Sequence, residues 1–138
     1  MKPELFWLIC TATFTALQWI PYVVNRIREL GPPSFSAWFP PADPPHQAAW
    51  ANRSARAHGN AIEGLVTFAP LAIATALLGG TEVTAVACQT FFIARVSHTA
   101  FSTLGAPIPF RTIAFLTAFA CQMTLAGSLL IRFGLSTG

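Results

Sequence analysis

The sequence predicts an all-α integral membrane protein, an antiparallel bundle of four transmembrane helices. Two observations carry that prediction. Hydrophobic residues make up 54% of the 138-residue chain and charged residues only 9%, against roughly 25% charged in ordinary soluble domains. So few charges cannot cover the outer faces of a soluble bundle. The apolar residues are also gathered into four long runs, which place helices at about 5–25, 50–78, 83–104 and 110–133 of one membrane domain, 1–138. Two of the three connections are short, so successive helices run antiparallel. This balance does not suit a disordered chain or a secreted disulfide scaffold, and a net charge of +3 is too small for a nucleic-acid surface.

The first run, Leu5 to Val24, has Gln18 as its main polar member and is long enough, at about 30 Å of helix, to cross a bilayer. It exceeds the apolar core of a signal peptide and no small-x-small cleavage site ends it, so it reads as a span. Trp7 at one end, and Trp19 with Tyr22 at the other, fit the aromatic belts at membrane interfaces. Residues 26–49 hold Pro32, Pro33, Pro40, Pro41, Pro44 and Pro45. Paired prolines forbid a continuous helix, so this stretch is an irregular loop, and Trp38 and Phe39 place it on the headgroup region or over a cavity.

Three more runs follow, Trp50 to Leu78, Val83 to Leu104 and Phe110 to Phe133, joined by the turns Gly79–Glu82 and Gly105–Pro109. Arg26, Arg28, Arg53, Arg56, Arg95 and Arg111 gather on one side, whereas Lys2 and Arg132 face Glu4 and Glu82 on the other. The positive-inside rule then puts both termini outside and the long loop in the cytoplasm. Cys10, Cys88 and Cys121 lie in apolar stretches without metal-ligand spacing; they read as inert thiols, and no metal site is expected.

Polar residues within the spans point to function, because a charge at the centre of a membrane helix costs about 2.5–3.5 kcal/mol. The second run carries Arg53, Arg56, Asn60 and Glu63 within an arc of about 80° on one face. Arg95, His98 and Ser102 share a face of the third. Arg111 and Gln122 lie about 20° apart on the fourth. Such stripes belong against one another or against a wet cavity. The plain packing alternative is an Arg56–Glu63 ion pair with Asn60 bridging helices, and Arg53 and Arg111 reaching the headgroups. Cations outnumber anions on these faces, so a site built from them favours an anionic ligand.

Arg56-Ala57-His58-Gly59-Asn60-Ala61-Ile62-Glu63, followed by Phe68, resembles the R-A-H-x-N-x-x-E signature of the membrane-associated proteins in eicosanoid and glutathione metabolism. Arg95-Val96-Ser97-His98-Thr99 is similar to that family's third-helix segment. Arg111 follows the histidine at the spacing of the catalytic arginine in its glutathione transferase and prostaglandin E synthase members. The resemblance spans roughly residues 50–132. It implies a homotrimer with glutathione bound between subunits, the second helix nearest the axis, and small residues such as Ala61, Gly64 and Ala72 allowing close approach.

By position, the resemblance implies that Arg56, Asn60, Glu63 and His98 hold glutathione, and Arg95 and Ser102, which share the face of His98, are placed with them as binding residues. Arg111 would be catalytic and face the sulfur, with Thr112 beside it and Arg26 reaching in from the adjacent subunit. The residues suit that ligand. Forked arginines match its carboxylates, Glu63 its ammonium, and a guanidinium near sulfur favours the nucleophilic thiolate. The chain departs from some relatives by having Ser102 and Phe115 where they have tyrosines. The implied activity is conjugation or reduction of lipophilic electrophiles or hydroperoxides from the lipid bilayer, in a bacterial inner membrane with the site towards the cytoplasm. The alternatives are a non-catalytic lipid- or lipophile-binding member and a small proton-coupled exporter. The exporter fits poorly, since it needs an acid within the first span.

Overall fold

The computed structural model describes residues 2–32, 34, 38–39 and 44–136. Among the described residues five helices form four rods: α1 (Pro3–Leu17) with α2 (Trp19–Leu30), then α3 (Ala49–Leu77), α4 (Glu82–Leu104) and α5 (Ile108–Ser136). Pro33, Pro40 and Pro41 of the long connection lie outside the described residues, as do Met1, Thr137 and Gly138.

The first rod departs from the expected continuous helix at 5–25. It breaks at Gln18 and runs on to Leu30. Pro21 explains the break, because it has no N–H to give the Leu17 carbonyl and its ring crowds that group. The irregular connection therefore begins at Gly31, which has a positive φ of 67°, and Arg26 and Arg28 belong to a helix rather than to the loop.

Three stretches, Pro3–Leu30, Ala49–Leu77 and Ile108–Gly134, are long and apolar enough to cross a membrane. α4 does not qualify by composition, yet its 23 residues make about 34 Å of helix, enough to span. Arg95, His98 and a series of hydroxyl residues lower its hydropathy, and α1, α3 and α5 pack against it, leaving Val83, Val86 and Ile93 on an exposed apolar face. A polar helix is tolerated in a bilayer when its neighbours, rather than lipid, cover its polar residues.

Phe68 of α3 stacks on Phe91 of α4 with ring centroids 3.9 Å apart, and Cys88, Cys121 and Leu125 close around them. Both of these thiols are buried and free; Cys10 is partly exposed. Ala61 and Ala72 are also buried inside the protomer, so these small residues serve packing within the bundle rather than the contact between subunits expected of them.

The helix ends are closed by specific polar groups. Thr81 and Thr84 form a reciprocal capping box at the start of α4. Buried Glu4 accepts a 2.8 Å hydrogen bond from Thr84 Oγ1, putting a carboxylate at the positive end of α4. The C-terminal carbonyls of α3 receive cations: Lys2 Nζ donates to Ala76 O and Arg132 to Leu78 O. At the far end of α4, Gly105 has φ 75°. Gly105 N–H returns to Ser102 O and Ala106 N–H to Phe101 O, the Schellman closure that a left-handed glycine permits. This end of the bundle holds the polar stripes.

Candidate functional site

Seven residues from three helices enclose a cavity of about 230 Å³: Arg53, Arg56, Ala57 and Asn60 of α3, His98 and Ser102 of α4, and Arg111 of α5. Among the described residues its lining holds three arginines and a histidine and no acid. A second cavity of about 200 Å³ lies beside it, shares Asn60, and is lined by Glu63, Thr67, Arg95 and Gln122 together with Phe91, Phe115 and Phe119. The cluster of arginines and the one carboxylate of the expected site therefore line two compartments that meet at Asn60, with Arg95 beside Glu63 in the second.

Each member is held for a local reason. Arg95 is 3% exposed and donates from Nη2 to Asn60 Oδ1 at 2.9 Å. It can cross from α4 because position 64 is glycine; a Cβ there would stand 3.3 Å from the Arg95 Cζ. Gln122 closes the other side, donating to Gly64 O at 2.9 Å and to Thr67 Oγ1 at 2.6 Å. Such bonds between helices stabilise polar residues that lipid could not solvate.

Arg53 has a second task that its place on the stripe does not reveal. Its Nε donates to Thr103 O at 3.1 Å, a carbonyl that the Schellman closure leaves over. Its guanidinium also lies over Gly105, where a Cβ would meet Cζ at 3.3 Å. One edge of Arg53 thus anchors the end of α4, and the residue also lines the cationic cavity. Three buried nitrogens around the two cavities have no hydrogen-bond partner within the described chain: Nε of Arg95, Nδ1 of His98 and Nε of Arg111. Unpaired buried polar atoms of this kind are costly and mark a place where a polar ligand is expected.

Of the residues expected at the site, Arg56, Asn60, His98, Ser102 and Arg111 meet at the first cavity, and Glu63 and Arg95 at the second. Two stand apart. Thr112 is exposed and its Oγ1 returns to Ile108 O at 3.0 Å on its own helix. Arg26 contacts Glu29 at 3.5 Å and the carbonyls of Pro44 and Pro45, so within its own chain it ties α2 to the long connection. Among the described residues no ion pair joins Arg56 to Glu63. Both side chains are exposed on the protomer surface, so no buried Arg56–Glu63 pair locks the packing within the protomer, whereas Asn60 does bridge α3 and α4 through Arg95. Arg53, Thr67 and Gln122 line the cavities without having been singled out as site residues. For Arg53 and Gln122 the signal was available in the stripes they share with Arg56 and Arg111.

The long apolar helices and the polar stripes gathered at one end of the bundle define an integral membrane protein. More particularly, the MAPEG family model matches residues 5–131, and the chain belongs to that family of membrane-associated proteins in eicosanoid and glutathione metabolism. Comparison with curated proteins returns no match.

Proposed function

We propose that the protein is a glutathione-dependent membrane enzyme that conjugates or reduces lipophilic electrophiles or hydroperoxides. The observation that carries this reading is the pair of cavities joined at Asn60, one cationic and one containing Glu63. Glutathione carries two carboxylates, an ammonium and a thiol, and this charge pattern matches the two compartments. Arg53, Arg56 and Arg111 supply forked donors for carboxylate or thiolate, and Glu63 accepts from the ammonium. Bound glutathione supplies the nucleophilic sulfur. The chain's own contribution is to hold the peptide and to keep a guanidinium, that of Arg111, where negative charge on sulfur is stabilised.

The proposed assembly is a homotrimer. Arg56, Gly59, Glu63, Val66, Pro70, Ile73 and Leu77 are all exposed on α3. They recur at alternating spacings of about three and four residues, the pattern of a helix that packs along its own copies. Arg56 and Glu63 facing acyl chains would cost several kcal/mol, and a neighbouring subunit removes that cost. In this reading the site completes itself between subunits, and faces the cytoplasm of a bacterial cell.

The test is calorimetric titration of detergent-purified protein with glutathione, paired with ultraviolet difference spectra for the thiolate. Saturable binding with a thiolate band supports the enzyme. One observation favours the second reading, a non-catalytic lipophile-binding member: the chain's only tyrosine, Tyr22, is committed to His58 Nδ1 at 2.9 Å, so no phenol stands near Arg111. Binding without a thiolate band would select that reading.

A further inference from the structure

A third cavity, of about 390 Å³, lies where α1 gives way to α2 and faces α4. Phe14, Pro21, Val96, Ala100 and Leu104 make it largely apolar, and Gln18 and Ser54 are the buried polar residues of its lining, with Thr99 and Thr103 beside them. It opens on the outer face of the bundle, since Pro21, Ala100 and Leu104 are exposed there. Gln18 is only 6% exposed. Its Oε1 meets Thr99 Oγ1 at 3.5 Å, and its Nε2 is buried without a partner. The residue is placed where the helix cannot satisfy itself, because Pro21 has no N–H for the Leu17 carbonyl.

An unpaired amide donor in hydrocarbon costs several kcal/mol. The occupant that suits the groove therefore has two features: a flexible apolar chain to fill it and a hydrogen-bond acceptor to meet Nε2. It needs no charge, because among the described residues no charged side chain lines this cavity. Those are the features of a fatty acyl ester. The depth agrees, since the groove reaches Thr103 and Leu104 at the end of α4, and ester carbonyls lie just below the headgroups. The groove is also separate from the cationic cavity: the Arg53–Thr103 hydrogen bond stands between them.

We infer that this groove is a lipid site that seats one acyl chain of a bilayer phospholipid, with its ester carbonyl accepting from Gln18 Nε2. The site does not depend on the glutathione reading.

The experiment uses the full-length protein in phosphatidylethanolamine and phosphatidylglycerol vesicles containing a phosphatidylcholine with a diazirine on one acyl chain. Irradiation is followed by mapping of the tagged peptides, with tagging of the outer face of α5 as the comparator for general lipid contact. Tagging of the α1–α2 junction and of residues 96–104 is expected above that comparator. Unlabelled diacyl phospholipid should compete about fivefold better than its dialkyl ether analogue, the factor one neutral hydrogen bond of about 1 kcal/mol provides. Gln18→Leu should erase the difference between ester and ether, and Ala100→Phe should block the groove and abolish the tag. Equal competition by ester and ether in the wild type overturns the proposal, as does tagging that survives Ala100→Phe. Selective displacement by a lipophilic electrophile also overturns it, by making the groove a substrate site. If Gln18→Leu fails to assemble, the wild-type ester and ether comparison decides alone.

Discussion

Arg95 of α4 donates from Nη2 to Asn60 Oδ1 of α3 at 2.9 Å, and Asn60 is the one residue common to both cavities of the site. Helix packing and ligand geometry therefore share a hydrogen bond. Asn60→Leu should destabilise the protein by about 1.5–3 kcal/mol, the range for losing a hydrogen bond to a charged group, because the guanidinium stays buried without its acceptor. Adding Arg95→Leu should recover part of that loss, since two apolar residues leave nothing unsatisfied. Denaturant unfolding in micelles, followed by circular dichroism, checks both.

A second prediction concerns the opposite end of the bundle. A Cβ at Gly80 would fall 1.7 Å from Glu4 Oε1, so Gly80→Ala forces out the carboxylate that accepts from Thr84. The expected cost is about 1–3 kcal/mol. In a Glu4→Ala background the same substitution should cost far less, giving a coupling of about 1 kcal/mol or more between the two positions. Additive losses would mean that Glu4 and Gly80 act independently.

These two ends differ in how far the sequence revealed them. The polar stripes were legible because helical periodicity alone puts Arg56, Asn60 and Glu63 on one face, and apolar surroundings make their placement expensive. Arg95 and His98 were legible in the same way. The burial of Glu4 was not, because it depends on a tertiary approach of α1 to the Gly79–Gly80 turn. Nor was the second role of Arg53, which depends on which carbonyl the closure of α4 leaves unpaired. Thr112 was placed beside the site by its neighbour Arg111, yet adjacent helical residues diverge by about 100°, and within the protomer its hydroxyl returns to Ile108 O on its own helix. The break at Gln18 has its cause in Pro21, which lies inside the continuous apolar run that made the span legible.

The third prediction concerns the strap between α2 and the long connection. Glu29 accepts from Asn25 Nδ2 at 2.6 Å and from the Ala48 N–H at 3.0 Å. It also stands 3.5 Å from both Arg26 and His46. One carboxylate thus fastens the end of the connection just before α3 begins. Glu29→Ala should leave the four rods folded, with unchanged helical circular dichroism, and should speed proteolytic cleavage within residues 31–48. Glu29→Gln should fall between, since an amide oxygen can still accept from Ala48 but no longer pairs with cations. Cleavage at the wild-type rate in Glu29→Ala would show that the strap contributes little.

The last prediction separates the two arginines that matter most to the proposed chemistry. Arg111 and Arg56 line the same cavity, but Arg56 is exposed on α3 and Arg111 is half-buried with an unpartnered Nε. Arg111→Ala should leave the fold intact, because no helix end or ion pair among the described residues depends on it, and should leave glutathione bound through the other cations. The thiolate band should disappear, and turnover should fall by about two orders of magnitude or more, the scale for removing one preorganised charge-stabilising donor. Arg111→Lys should restore part of both, since a point charge remains without the forked geometry. Arg56→Ala should instead weaken glutathione binding by about tenfold or more, the loss of one charge-assisted carboxylate contact, while any glutathione bound at saturation keeps its thiolate. Calorimetry reads the first difference and ultraviolet spectra the second. A normal thiolate and normal turnover in Arg111→Ala would make this arginine a headgroup anchor and would favour the non-catalytic member of the family.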